Sequence, residues 1–176
     1  MELADVVFFR SNDNLISKAI STLTSSEFTH VGLVTSVSAD GKHGEIIEAD
    51  RFIKTRRRAF EFDVTQHALY RVPDLTERQK MDIVNFAISK EGTSYDYLQI
   101  VGFFLRLAFG LNISNLFNRA NHLICSELID ISYFASGVER TSTNSLGDVL
   151  PVDLLDSYNF HLVNTEVTRA VLMTGL

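Results

Sequence analysis

The only cysteine of the chain, Cys125, stands in the stretch His122-Leu123-Ile124-Cys125-Ser126-Glu127-Leu128-Ile129-Asp130. Apolar Leu123, Ile124, Leu128, Ile129 and Ile131 are spaced to face a core, which predicts a helix that opens close to the cysteine. In a first helical turn, unpaired N–H groups and the helix dipole favour a thiolate. A thiol nucleophile also needs an imidazole to take its proton and a polar group to orient that imidazole. His30 in Phe28-Thr29-His30-Val31-Gly32-Leu33-Val34 and Glu48 on the following strand supply those residue types. The two lie on adjacent strands of one predicted hairpin, where cross-strand neighbours sit about 5 Å apart. Glu45 or Asp50 takes the place of Glu48 if the register slips.

Each of these residues has an ordinary alternative role. A lone cysteine is commonly a small core residue, His30 a satisfied core or surface histidine, and Glu48 a solvent-facing strand residue. His122, one turn before Cys125, competes as the base, but a helix N-terminus disfavours an imidazolium there. His43, His67, His122 and His161 offer nitrogen ligands, yet no His-Glu-x-x-His, cysteine pair or one-face spacing accompanies them, and no metal site is expected. Ser126 points about 100° away from Cys125 on a helix and makes a poor second nucleophile. The chain has neither a phosphate-cradling glycine loop nor a nucleophile-elbow serine.

The elements that must position these residues follow from pattern. Residues 4–10 read as a buried strand, and Ser11 to Asn14 cap a helix carrying Leu15, Ile16, Ala19, Ile20 and Leu23. Residues 28–37 form a strand with Phe28, His30, Gly32 and Val34 on one face, so Gly32 leaves open space beside the imidazole. Residues 39–42 make the turn, and residues 45–50 the partner strand. Residues 51–58 hold Arg51, Lys54, Arg56, Arg57 and Arg58 and read as a basic connection, able to meet a carboxylate or phosphate near the site. Strands at 59–64 and 67–72 precede Pro73. Thr76-Glu77-Arg78-Gln79 has the form of a capping box, with Gly92 suited to the far end of its helix. An apolar helix over 95–109, bearing Phe103, Phe104 and Phe109, is either buried or lines an acyl pocket. The Cys125 helix should end near Ser136-Gly137. A polar loop, a helical turn over 151–156 and a last strand at 160–163 complete an α+β pattern, an antiparallel sheet packed against helices.

With 176 residues, 45% of them apolar, and only two prolines, a single domain over 1–176 is expected. The net charge of −6 disfavours general nucleic-acid binding. One cysteine permits no internal disulfide, which points to a reducing compartment. The N-terminal residues lack the pattern of a signal peptide, and the run 98–111 is too short to span a bilayer comfortably, so a cytoplasmic protein is expected.

Several segments, in order, resemble the permuted branch of the NlpC/P60 superfamily, the YiiX/YebB-like papain-fold hydrolases. They are Ala4-Asp5-Val6-Val7-Phe8, Ser17-Lys18-Ala19-Ile20, Thr29-His30-Val31-Gly32-Leu33-Val34, Ile46-Ile47-Glu48-Ala49, Gly92-Thr93-Ser94-Tyr95-Asp96-Tyr97, Cys125-Ser126-Glu127-Leu128 and Leu150-Pro151-Val152-Asp153-Leu154. The histidine strand precedes the cysteine helix, as it does in that circularly permuted papain-like branch. The resemblance implies Cys125 as nucleophile, His30 as base and Glu48 as the group orienting it. It also implies Tyr95 as a pocket residue able to act as an oxyanion donor. It implies a cysteine hydrolase of peptidase or amidase type that needs no cofactor and acts on a small-molecule, peptide or lipid-derived acyl substrate. A lipid acyl hydrolase or acyltransferase on the same triad is the alternative within the family. A non-catalytic binding or structural protein, such as a phage component, is the alternative outside catalysis.

Overall fold

Strands of two to ten residues, most of them rich in apolar residues, build a six-stranded antiparallel sheet. The computed structural model describes residues 1–11, 18, 21–22, 26–49, 54–93, 125–147 and 149–163. The strands are β1 (Val6–Arg10), β2 (Phe28–Val37), β3 (His43–Ala49), β4 (Thr55–Glu61), β5 (His67–Arg71) and β6 (His161–Leu162), and they lie in the order β4-β3-β2-β1-β5-β6. The helices whose bounds fall within the described residues are α1 (Glu77–Ser89), α2 (Cys125–Ala135) and α3 (Pro151–Ser157). The chain is thus an α+β fold. The helix expected over 15–23 falls mostly outside the described residues, and the one expected over 95–109 falls wholly outside them. Among the described residues, no helix is long and apolar enough to cross a membrane.

β1 is apolar on both sides because both faces of the sheet are covered there. Val6 and Phe8 join Val31, Leu33, Ile47, Leu128, Ile129 and Tyr133 in the core beneath the helices. Val7 joins Val34, Ile46, Phe60 and Leu69 on the opposite face. α2 packs on β2 and β3, with α1 and α3 against α2. Tyr133 donates to the carbonyl of Ala4, tying α2 to the start of β1.

Local signals set the element ends. Thr76 Oγ1 accepts from the N–H of Gln79, and Gln79 Oε1 accepts from the N–H of Thr76, completing the expected capping box. Gly41 turns the β2–β3 hairpin at φ +69°, while Asp40 accepts from the N–H groups of Lys42 and His43. α2 stops at Ala135, before Gly137 at φ +72°.

Two expectations need correction. Phe28 does not share a face with His30. Phe9 pairs with His30 but Arg10 pairs with Phe28, so Thr29 is an extra residue and the strand turns over at this bulge. Phe28 consequently packs edge-on to Phe8, 5.2 Å between ring centroids, in the helix-side core. The basic run is the second correction. From Thr55 it is the edge strand β4, paired with β3 along its whole length, rather than a connector. Charged side chains are what keep such an edge from recruiting further strands.

Candidate active site

His30, Glu48 and Cys125 come together at one end of the sheet. The β2–β3 register pairs Leu33 with Ile47 and Val34 with Ile46; continued by one residue, it sets Gly32 opposite Glu48. Glu48 and His30 therefore share a face as diagonal neighbours, with no side chain between them. The space beside Gly32 is not open, however. A Cβ there would lie 3.0 Å from Ile46 Cδ1, so Ile46 fills the gap.

Nε2 of His30 lies 3.0 Å from Oε2 of Glu48, a distance at which the protonated nitrogen donates. Both side chains are buried, with His30 8% and Glu48 4% exposed. The ring of Phe9 packs against the imidazole at 5.2 Å. With Nε2 engaged, Nδ1 is the nitrogen left for a thiol. It is buried and makes no hydrogen bond of ordinary geometry among the described residues. Cys125 nevertheless couples to this ring. Burial by itself would lower the pKa of His30, but the charge of Cys125, its hydrogen bond, and then the hydrogen bond and charge of Glu48 outweigh burial and raise it to about 9.

Cys125 is 7% exposed and is the first residue of α2 among those described. Its neighbour Ser126 is turned away, donating from Oγ to the carbonyl of Val149 at 2.5 Å, so it serves structure. Asp130, one turn on, anchors α2 from inside the protein. It accepts Nε and Nη2 of Arg140 at 2.8 and 3.2 Å, the N–H of Gly147 at 2.8 Å and the Tyr158 hydroxyl at 2.9 Å. The polar loop after α2 is thereby folded onto the helix that carries the cysteine.

The pattern of residue types did not reveal what stands behind Glu48. Arg58 donates from Nε to Oε1 at 2.7 Å and from Nη2 to Oε2 at 3.2 Å. Arg56, directly across from Glu48 in the β3–β4 register, brings Nη2 to 3.5 Å from Oε1. Burial would raise the pKa of Glu48, but hydrogen bonds from His30 and Arg58, together with their charges, lower it to about 2. The carboxylate is therefore ionised at neutral pH. The signal was present in the sequence as Arg56 and Arg58 two positions apart, with Arg57 facing the other way onto Glu91 at 2.9 Å. The basic run does meet a carboxylate, and it is the protein's own. A cavity of about 530 Å³ opens on this side, lined by Phe9, Thr29, His30, Glu48, Arg56 and Arg58 among others.

The remaining candidates lie elsewhere. Glu45 is placed by Ser36, whose hydroxyl is 3.5 Å from its carboxylate, and does not meet His30. His43 pairs with Asp40 in the hairpin turn at 2.5 Å. His67 accepts the N–H of Asp63 on Nδ1 at 3.1 Å, and burial pushes its pKa down. His161 is exposed on β6 beside Asn159. Among the described residues, no group of three or more His, Cys, Asp or Glu side chains is placed to hold a metal ion. Tyr95, His122, Asp50 and Arg51 lie outside the described residues.

No protein-family model and no curated protein matches the chain. Among solved structures, the chain is similar to the crystal structure of metalloprotein yiiX from Escherichia coli O157:H7, a DUF1105 protein. The identity is 18% and the TM-score 0.49, over 92% of this chain and 96% of that one.

Proposed function

We propose that the chain is a cysteine hydrolase of peptidase or amidase type, cleaving an amide or related acyl bond through Cys125, His30 and Glu48. One observation carries the reading: a buried imidazole with an ionised carboxylate on one nitrogen and the lone cysteine coupled to its ring. The ordered segments that resemble YiiX/YebB-like permuted NlpC/P60 enzymes support it, and imply one permuted papain-like domain.

In this reading the Cys125 proton resides on His30, and the thiolate attacks the carbonyl carbon of the substrate. The carbonyl π electrons move to oxygen, giving a tetrahedral oxyanion that the Cys125 N–H is suited to stabilise. Tyr95 is the second donor on the strength of the resemblance alone. The imidazolium then protonates the leaving amine, the C–N bond breaks, and a thioester remains on Cys125. His30 next takes a proton from water, the resulting hydroxide attacks the thioester, and the thiol and a carboxylic acid are released. Glu48 holds the imidazole in one orientation and stabilises its cationic form throughout.

Activity-based capture with an acyl-directed electrophile, followed by a panel of muropeptides and phospholipids, tests the reading and narrows the substrate. Cys125→Ala is expected to abolish capture and turnover while leaving the fold intact. Comparable turnover by variant and parent on any substrate found overturns the assignment.

A further inference from the structure

Glu48 sits between two demands. It must stay charged while buried, and it must not hold the His30 proton so tightly that none reaches a leaving group. A buried carboxylate without a counter-charge takes up a proton instead of remaining ionised. A buried carboxylate acting alone on an imidazole makes that imidazole too basic to be a good acid near neutral pH.

Arg58 answers the first demand directly and moderates the second by drawing on the same carboxylate. From a position paired with Ile46, its long side chain reaches diagonally across the strands to Glu48, although Arg56 is the residue directly opposite. Arg58 places two nitrogens on the carboxylate, one on each oxygen, at 2.7 and 3.2 Å. This fork fixes the plane of the carboxylate, and Oε2 is the oxygen shared with His30 Nε2. The guanidinium is itself held between rings, 5.7 Å from the centroid of Phe9 and 5.8 Å from that of Phe60. Phe9 is also the ring packed on His30. One aromatic side chain therefore braces both partners of Glu48.

We propose that Arg58 is a positioning residue which fixes the Glu48 carboxylate on His30 and shares its charge, so that the imidazolium can release its proton. Among the described residues, the charged groups facing Glu48 are His30 from β2 and Arg56 and Arg58 from β4. Cys125 of α2 faces His30, and His67 of β5 feels the charge of Arg58. With Arg58 gone, burial acts on Glu48 with less opposition and its pKa rises. The undiluted carboxylate then acts on His30, whose pKa rises as well. Arg58 would be needed for the Cys125 hydrolase reading, but the pair of shifts exists whether or not that reading holds.

The test is carboxyl and imidazole titration by NMR in the parent, Arg58→Gln and Arg58→Lys, with thermal unfolding alongside. In Arg58→Gln both groups are expected to titrate roughly one pH unit higher, a tenfold change in proton affinity. Arg58→Lys keeps the charge without the fork and should restore most of the His30 value and part of the Glu48 value. A residue with a merely structural role would lower the unfolding temperature and leave both titrations where they were, and that result overturns the proposal. If the glutamine variant does not fold, the lysine variant decides, because an unchanged Glu48 titration there removes any need for the fork. If Cys125 proves inert while both titrations move, the hydrolase reading fails and the role of Arg58 toward Glu48 stands.

Discussion

Replacing Glu48 by glutamine leaves a hydrogen-bond acceptor beside His30 but removes the charge that three cationic groups share. The pKa of Glu48 is lowered from 4.5 to about 2, so the folded state favours its ionised form by 2.5 pH units, or about 3 kcal/mol. The pKa is depressed on folding, so this stabilisation is fully present above pH 4.5 and is lost as the pH falls through about 2. Breaking a buried pair by removing one partner costs about 3–5 kcal/mol when the other charge stays buried. Arg58 and Arg56 have side chains 35% and 42% exposed and can turn toward water. The cost of Glu48→Gln at neutral pH is therefore expected at about 1–3 kcal/mol, and Glu48→Ala should cost more. Urea unfolding of parent and variant across the acid range measures this directly. The difference between them should be constant between about pH 4.5 and 6.5, shrink toward pH 2, and shrink again as the pH rises through about 9, where His30 of the parent loses its proton. His30 should titrate below its parent value of about 9, since Cys125 still raises it but Glu48 no longer does. A stability difference that does not change with pH, together with an unmoved His30 titration, would refute the reasoning.

Asp130→Ala removes the carboxylate facing Arg140, whose side chain is only 9% exposed but keeps the carbonyls of Ser142, Asn144 and Ser145, and should cost about 2–4 kcal/mol, read as a lower urea midpoint. Ser126→Ala removes the hydroxyl that donates to Val149, costing about 1 kcal/mol of stability, while Cys125 labelling keeps its pH dependence. Loss of that pH dependence would make Ser126 part of the site.

The hairpin that carries His30 and Glu48 was legible because β-branched and apolar residues mark both strands and Asp40-Gly41 marks the turn between them. The capping box at Thr76 and the stop before Gly137 were legible for the same reason, since each is a local rule acting over three or four residues. The inversion of Phe28 was not, because a bulge is fixed by pairing with β1 and leaves no mark in the strand's own alternation. β4 was misread because an edge strand needs little apolar character, and three consecutive arginines look like a solvated linker. The two-residue spacing of Arg56 and Arg58 puts them on one face, but the grip of Arg58 on Glu48 also depends on the β3–β4 pairing, which that spacing does not give. The Asp130 network was hidden for a similar reason. Arg140, Gly147 and Tyr158 reach it from 10, 17 and 28 residues away.

The most direct test of the central claim is the pH dependence of Cys125 alkylation by iodoacetamide in the native parent, His30→Ala and His122→Ala. Burial of Cys125 slows reagent access to all three, so the position of the titration, rather than the absolute rate, carries the information. In the parent, labelling should persist well below the ordinary thiol pKa of about 8.5, because His30 keeps the thiolate as its ion-pair partner. In His30→Ala the onset should move up into the ordinary thiol range, and in His122→Ala it should stay where the parent has it. A parent profile that follows an ordinary thiol, or one that moves with His122 and not with His30, would contradict the account.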